Sequence, residues 1–348
     1  MTVDASPASE PARRLGVFAA TRNVAIFLLA LAATSTALTA FTPFPKLGNL
    51  WRKYHHLGDH RADYSVIYLG SSRVFHEFIP EQFDAALAAR GHQVRSFNFG
   101  QDGMWPPESF YMLRQILAMK PPQLKWVLID LMGIKSEIDG NESTLRSVYW
   151  HDLRHTWIAW RHTLKIDMLG QRTAGEKAEA IWRHAQLWGQ HATGLGQGHE
   201  KLETALKLVD EKKPRPVTAA GFEAGDAGPL QGGMLTTFTA AVDRLKKNPP
   251  PRPIQPVLRD ALEQVIKDVR AAGAEPIFIV AANIFGAERY NNWPPAGVHV
   301  LRFDDPNRFP DLYDPAHRYD PHHLDAIGAQ AFTRHLAEQF NGVLETKQ

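Results

Sequence analysis

The chain reads as an α/β protein built on a parallel sheet of about five strands, and three observations predict it. Five apolar runs of strand length, at 65–69, 94–98, 126–131, 276–282 and 298–303, lack polar alternation, as strands buried on both faces do. Helical segments that open on proline or acids and close at glycine lie between most of them. The first run ends abruptly in Gly70-Ser71-Ser72, small residues suited to a tight turn at a strand's carboxyl end. Ligands of open α/β sheets bind at such ends, so this is where a nucleophile would be presented.

Composition narrows the function classes. The 348 residues suffice for a large core, and 39 basic against 37 acidic side chains leave a formal charge of +2. No basic cluster lies outside the N-terminus, which argues against nucleic acid as a partner. Cysteine is absent, and with it disulfides, zinc–thiolate sites and thiol nucleophiles.

In chain order, residues 1–22 form a basic leader with Arg13, Arg14 and Arg22. Residues 23–41 carry no charge and are long enough to span a bilayer. The positive-inside rule then places the leader in the cytoplasm and the body on the periplasmic or extracytoplasmic side of a bacterial-type inner membrane. An uncleaved signal anchor is the first reading. A cleaved signal peptide with Ser35-Thr36-Ala37 as the small-residue site, and a buried helix of a soluble protein, are the alternatives. Residues 42–63 read as a polar connector, with Trp51 and Tyr54 either at headgroup level or packed on the domain.

Residues 64–135 begin the α/β domain, with helices expected after the first strand, at 80–90 and at 107–119. The alternation then stops, and 136–253 read as a mainly helical insertion with helices at 149–169, 175–213 and 236–246. From 254 to 348 the alternation resumes, through an amphipathic helix at 256–272, two strands, a turn-rich loop and a final helix at 326–340 capped by Asp325.

A serine becomes a nucleophile when a base takes its proton and a carboxylate orients that base. Asp320-Pro321-His322-His323 offers base and carboxylate on one loop, and Gly103, after the second strand, can bring a backbone donor close to a substrate. Ser71 and His322 stay open as alternatives to Ser72 and His323. Leu69-Gly70-Ser71-Ser72, Asn98 with Gly103, and Asp320-x-x-His323-Leu324-Asp325 resemble blocks I, II and V of the SGNH (GDSL-like) hydrolase superfamily. The likeness is nearer to its membrane-anchored branch, which includes the D-alanyl transfer protein of teichoic acid synthesis and SGNH partners of polysaccharide O-acetylation. It implies a three-layer flavodoxin-like sheet with Ser72 as nucleophile, His323 as base and Asp320 as its orienter. The Ser72 and Gly103 amides would form the oxyanion hole. Ser71 stands where the superfamily has aspartate. Block III is Asp130-Leu131-Met132-Gly133, without the usual asparagine, so one oxyanion donor is missing or comes from elsewhere, with Asn283 as the candidate.

The resulting expectation is a membrane-anchored serine esterase or O-acyltransferase acting on an envelope polysaccharide through an acyl-serine, with no metal or organic cofactor. Its partners would be an acyl donor, the membrane and an MBOAT-type acyltransferase. The alternative is a non-catalytic anchored scaffold for such an acyltransferase. Two other readings are weighed. Gly70 to Arg73 could cradle a phosphate, although no phosphate-loop pattern is present. His151 and His155 have the i, i+4 spacing of metal ligands, but the surrounding Trp150, Trp157 and Trp160 favour a partly buried aromatic helix. That aromatic face, with Trp182 and Trp188, could instead dock on a membrane or a membrane partner.

Overall fold

The computed structural model describes residues 10–41, 44, 46–136, 145–165, 173–194, 217–225, 229–286 and 288–346. Five parallel strands form its centre: β1 (Val66–Gly70), β2 (Ser96–Gly100), β3 (Trp126–Asp130), β4 (Glu275–Val280) and β5 (His299–Arg302). Their spatial order is β2-β1-β3-β4-β5, the doubly wound order whose direction of growth reverses between β1 and β3. Sheets of this order bind ligands outside the carboxyl ends of the strands at the reversal, and Ser72 directly follows that end of β1.

The absence of alternation in the strands has its cause in two apolar layers. Ile67, Leu69, Val127 and Phe278 face one layer, formed with helices α2 (Asn49–Asp59), α5 (Glu108–Ala118) and α10 (Pro256–Ala271). Val66, Tyr68, Leu128 and Ile277 face the other, with α4 (Pro80–Ala88), α9 (Gly232–Lys246) and α11 (Ala326–Glu345). A short helix, α3 (Ser72–Glu77), follows β1 directly.

Several expected boundaries move. The second strand ends at Gly100 instead of Asn98, because Gly100 is still in register with Gly70 and, lacking a Cβ, lies flat against the backbone of Phe75. The stretch expected to be a polar connector folds as α2. It buries Leu50, Lys53 and Leu57, and Tyr54 stacks on Phe44 with 4.2 Å between ring centroids. The turn-rich loop before the last helix contains a small antiparallel pair, β6 (Arg318–Asp320) and β7 (His323–Leu324).

The insertion begins with α6 (Leu145–Tyr149), α7 (Leu153–Lys165) and α8 (Ala174–Thr193). The helix expected at 149–169 is broken at Asp152, whose carboxylate accepts the His155 amide at 2.8 Å. The remainder of that helix, 166–169, and residues 195–213 of the next lie outside the described residues. Further along the insertion, residues 217–225 return to the domain, where the Asn98 backbone amide of β2 donates to the Ala220 carbonyl at 2.8 Å and the Glu223 amide donates to the Phe75 carbonyl of α3 at 3.3 Å. Residues 217–225 therefore lie on the open edge of β2 and satisfy one donor, the Asn98 amide, that an edge strand leaves unpaired.

At the N-terminus, α1 (Glu10–Phe41) contains one apolar stretch, Phe18–Ala37, long enough to cross a membrane. Its large side chains Phe18, Phe27 and Leu29 are exposed.

Candidate active site

Gly70 ends β1 where only glycine fits, since a Cβ there would collide with Val74 and lie 2.6 Å from the Asp130 Cβ. The chain then turns into α3, and the two serines part company. Ser71, buried at the N-cap position of the helix, makes no side-chain cap bond and instead donates from Oγ to Asp130 Oδ2 at 3.2 Å. Ser72 turns the other way, with Oγ 2.7 Å from His323 Nε2. The choice that strand alternation leaves open is thus made by a buried carboxylate, which takes Ser71. It also takes Arg73, at 3.4 Å, so the turn faces a carboxylate instead of an anion-binding space. Burial works against the Arg73 charge, but Asp130, Glu288 and Glu77 hold its pKa above the ordinary value.

The candidate base, His323, lies on the β6–β7 hairpin. Asp320 organises that turn by accepting the His322 amide at 2.6 Å and the His323 amide at 2.9 Å on one oxygen. Its other oxygen accepts His323 Nδ1–H at 2.7 Å, and in a neutral ring that tautomer leaves Nε2 to accept from the Ser72 hydroxyl. Burial opposes the Asp320 charge, yet the His323 side chain and the backbone amide of His322 hold its pKa below the usual carboxylate value. His322, the alternative base, is directed elsewhere and stacks on Phe285, with 4.8 Å between centroids and 8° between planes. Burial pushes its pKa down.

Two residues that the sequence reading did not identify support this hairpin. Arg318, fully buried, donates to the carbonyls of Leu312, Ala282 and Pro321, tying the hairpin to the loop after β4. Glu77, also fully buried at the end of α3, accepts the Leu324 amide at 3.1 Å. Burial raises its pKa to about 7, with Arg318 and His323 opposing. Nothing in the local sequence marks either residue.

The expected oxyanion side is assembled differently. Gly103 is exposed and sits at φ +65°, a conformation that favours glycine. Among the described residues, the amides of Ser72 and Gly103 donate to no protein acceptor. The preceding Asp102 is gripped twice. His76 Nε2 lies 3.0 Å from its carboxylate, and Arg146, from α6 of the insertion, donates to its carbonyl at 2.5 Å. Glu108 holds the same guanidinium at 3.0 and 3.3 Å, so the insertion is fastened to this loop by a forked ion pair. Lys53 of α2 donates to the Gly100 carbonyl at 2.6 Å, and burial drives its pKa well down. Asn98 is fully buried and donates to Val74 and Phe78 at 2.7 Å each, fixing the end of α3 on β2.

Asn283 does not join the site. Its side chain is buried in its own turn, donating to the Ala281 carbonyl at 3.0 Å and accepting the amides of Phe285 and Gly286. The expectation that it supplies the third oxyanion donor is therefore corrected, for its amide closes a loop after β4. His151 and His155 do not converge either. His155 bonds Asp152 at 2.6 Å, whereas His151 lies 2.9 Å from His184, so the pair serves the packing of the insertion.

No protein-family model matches this chain, and no curated protein matches it.

Proposed function

We propose that the protein is a serine esterase or O-acyltransferase of the SGNH type, anchored by its N-terminal helix with the α/β domain on the extracytoplasmic side. One observation carries this reading: the continuous chain from Ser72 Oγ through His323 to Asp320, at 2.7 Å for each contact. In the proposed cycle His323 Nε2 takes the Ser72 proton as Oγ attacks the carbonyl carbon of an acyl donor. The amides of Ser72 and Gly103 receive the oxyanion that develops. Collapse expels the donor's leaving group, which takes the proton from His323. A sugar hydroxyl, or water, then gives its proton to His323 and attacks the acyl-serine carbonyl, and as the ester or acid is released the departing Ser72 Oγ takes that proton back from His323.

Transfer to a glycan of the envelope fits a domain beside a membrane, and an MBOAT-type acyltransferase would be the source of the acyl group. The exposed side chains Leu153, Trp157 and Leu164 of α7 and Trp182 of α8 support a docking role of the insertion at that membrane. Side chains in hydrogen-bond contact argue against the non-catalytic scaffold. Exposure of the full chain in detergent to a fluorophosphonate is expected to label Ser72. Equal labelling of the Ser72→Ala variant rejects the mechanism.

A further inference from the structure

One helical turn after Ser72 lies a second histidine–aspartate pair that the proposed cycle does not use. His76 is buried, and both its ring nitrogens face acceptors. Nδ1 lies 3.0 Å from the backbone carbonyl of Glu223, and Nε2 lies 3.0 Å from the Asp102 carboxylate. A neutral imidazole has one N–H and one bare nitrogen, so it can satisfy only one of two such partners. With Asp102 ionised, both contacts are hydrogen bonds only if His76 carries two protons. The pair is also part of the site wall: Tyr319 meets the His76 ring edge-on at 6.4 Å and stacks parallel on His323 at 5.4 Å.

We propose that His76 is held as an imidazolium that clamps Asp102, and with it the neighbouring Gly103 amide, making it a positioning residue for the oxyanion hole. This rests on the serine-acyl reading above. The clamp brings together three distant segments: α3, the loop after β2 and residues 217–225 of the insertion. Arg146 holds the same residue by its backbone, donating to the Asp102 carbonyl. A site that lacks the block III asparagine gains a fixed loop and a nearby positive charge by this means.

The groups facing His76 set its response to pH. They are Asp102 from the β2 loop, Glu223 from the insertion and the Tyr319 ring from the hairpin, with Lys53 of α2 and Arg146 of α6 coupled to it through Asp102. Burial alone would strip the proton, but Asp102 and the Glu223 carbonyl outweigh it and the pKa stands above the ordinary 6.5. For a raised histidine the favourable interaction is complete at low pH and is lost as pH rises through the folded-state value. The clamp therefore opens on the alkaline side.

The test uses the full chain in detergent or nanodiscs. Nitrogen-15 NMR of the histidine rings, assigned through His76→Gln, is expected to show both His76 nitrogens protonated at neutral pH. It should also show one proton lost at neutral pH in Asp102→Asn. In single-turnover acylation by 4-nitrophenyl acetate, His76→Gln should lower the acylation rate constant roughly 10- to 100-fold at little-changed ester affinity, as loss of a positioning contact does. The alkaline fall of the wild-type rate should disappear in that variant. A bare His76 nitrogen in the wild type at neutral pH overturns the proposal, as does an unchanged rate and pH profile in His76→Gln. If the wild type forms no acyl-enzyme, the serine reading fails, and the NMR result still decides the charge of His76.

Discussion

The two sides of the candidate site are built by opposite strategies. The base side is local: Asp320 and His323 lie three residues apart, and one carboxylate both folds the turn and orients the imidazole. The oxyanion side is global, for Gly103 is held through Asp102 by His76 and by Arg146 of the insertion. In the local device short-range hydrogen bonds set the Asp320–His323 geometry, while Arg318 and Glu77 seat its hairpin on the rest of the fold. A global one depends on every segment that contributes, and so can be loosened from a distance.

If that contrast is right, the largest effect comes from the base side. Asp320→Asn keeps a polar group of the same size but removes the charge that selects the His323 tautomer. A decrease of about 10³- to 10⁴-fold in Ser72 acylation is expected from stopped-flow measurement, with thermal stability nearly unchanged. A tenfold effect or less would mean that the turn, and not the charge, is what Asp320 supplies.

A smaller effect is expected beneath the hairpin. Glu77 has a folded value of about 7 against an ordinary 4.5, so the folded protein holds that proton more tightly than the unfolded chain. The stability associated with the proton is full below about 4.5 and is lost as pH rises through about 7, a cost of about 3 kcal/mol. Glu77→Gln retains an acceptor for the Leu324 amide and should abolish this loss. Urea unfolding at several pH values measures it, and an unaltered slope between pH 5 and 7 would contradict the burial argument.

The smallest effect is expected at Ser71. Ser71→Ala removes one hydrogen bond to Asp130 and should cost about 1 kcal/mol in stability while leaving acylation intact. Loss of acylation in this variant with Ser72 present would exchange the roles assigned to the two serines.

The same contrast explains what the sequence reveals. The sheet is legible because strands buried on both faces must be apolar throughout, and runs such as Val66–Gly70 have few alternative readings. Asp320 and His323 are legible because their geometry is a property of a four-residue turn. The selection of Ser72 over Ser71 is not, since it depends on Asp130, 59 positions away. Lys53 was hidden in a stretch that reads as a connector, and Arg146 in one that reads as an insertion. For His76 a signal existed, four residues after Ser72 and hence on the same face of a helix. Its partners Asp102 and Glu223 come from separate loops, and no spacing announces them. Asn283 shows the converse: an asparagine placed suggestively after a strand is bound into its own turn.

The most direct test of the account is the position of the acyl group after the full chain meets an activated acyl ester and is quenched in acid. Peptide mass spectrometry should find the acyl mass on Ser72 in the wild type and none in Ser72→Ala. An acyl group that remains in Ser72→Ala, or that is found on Ser71 in the wild type, would contradict it.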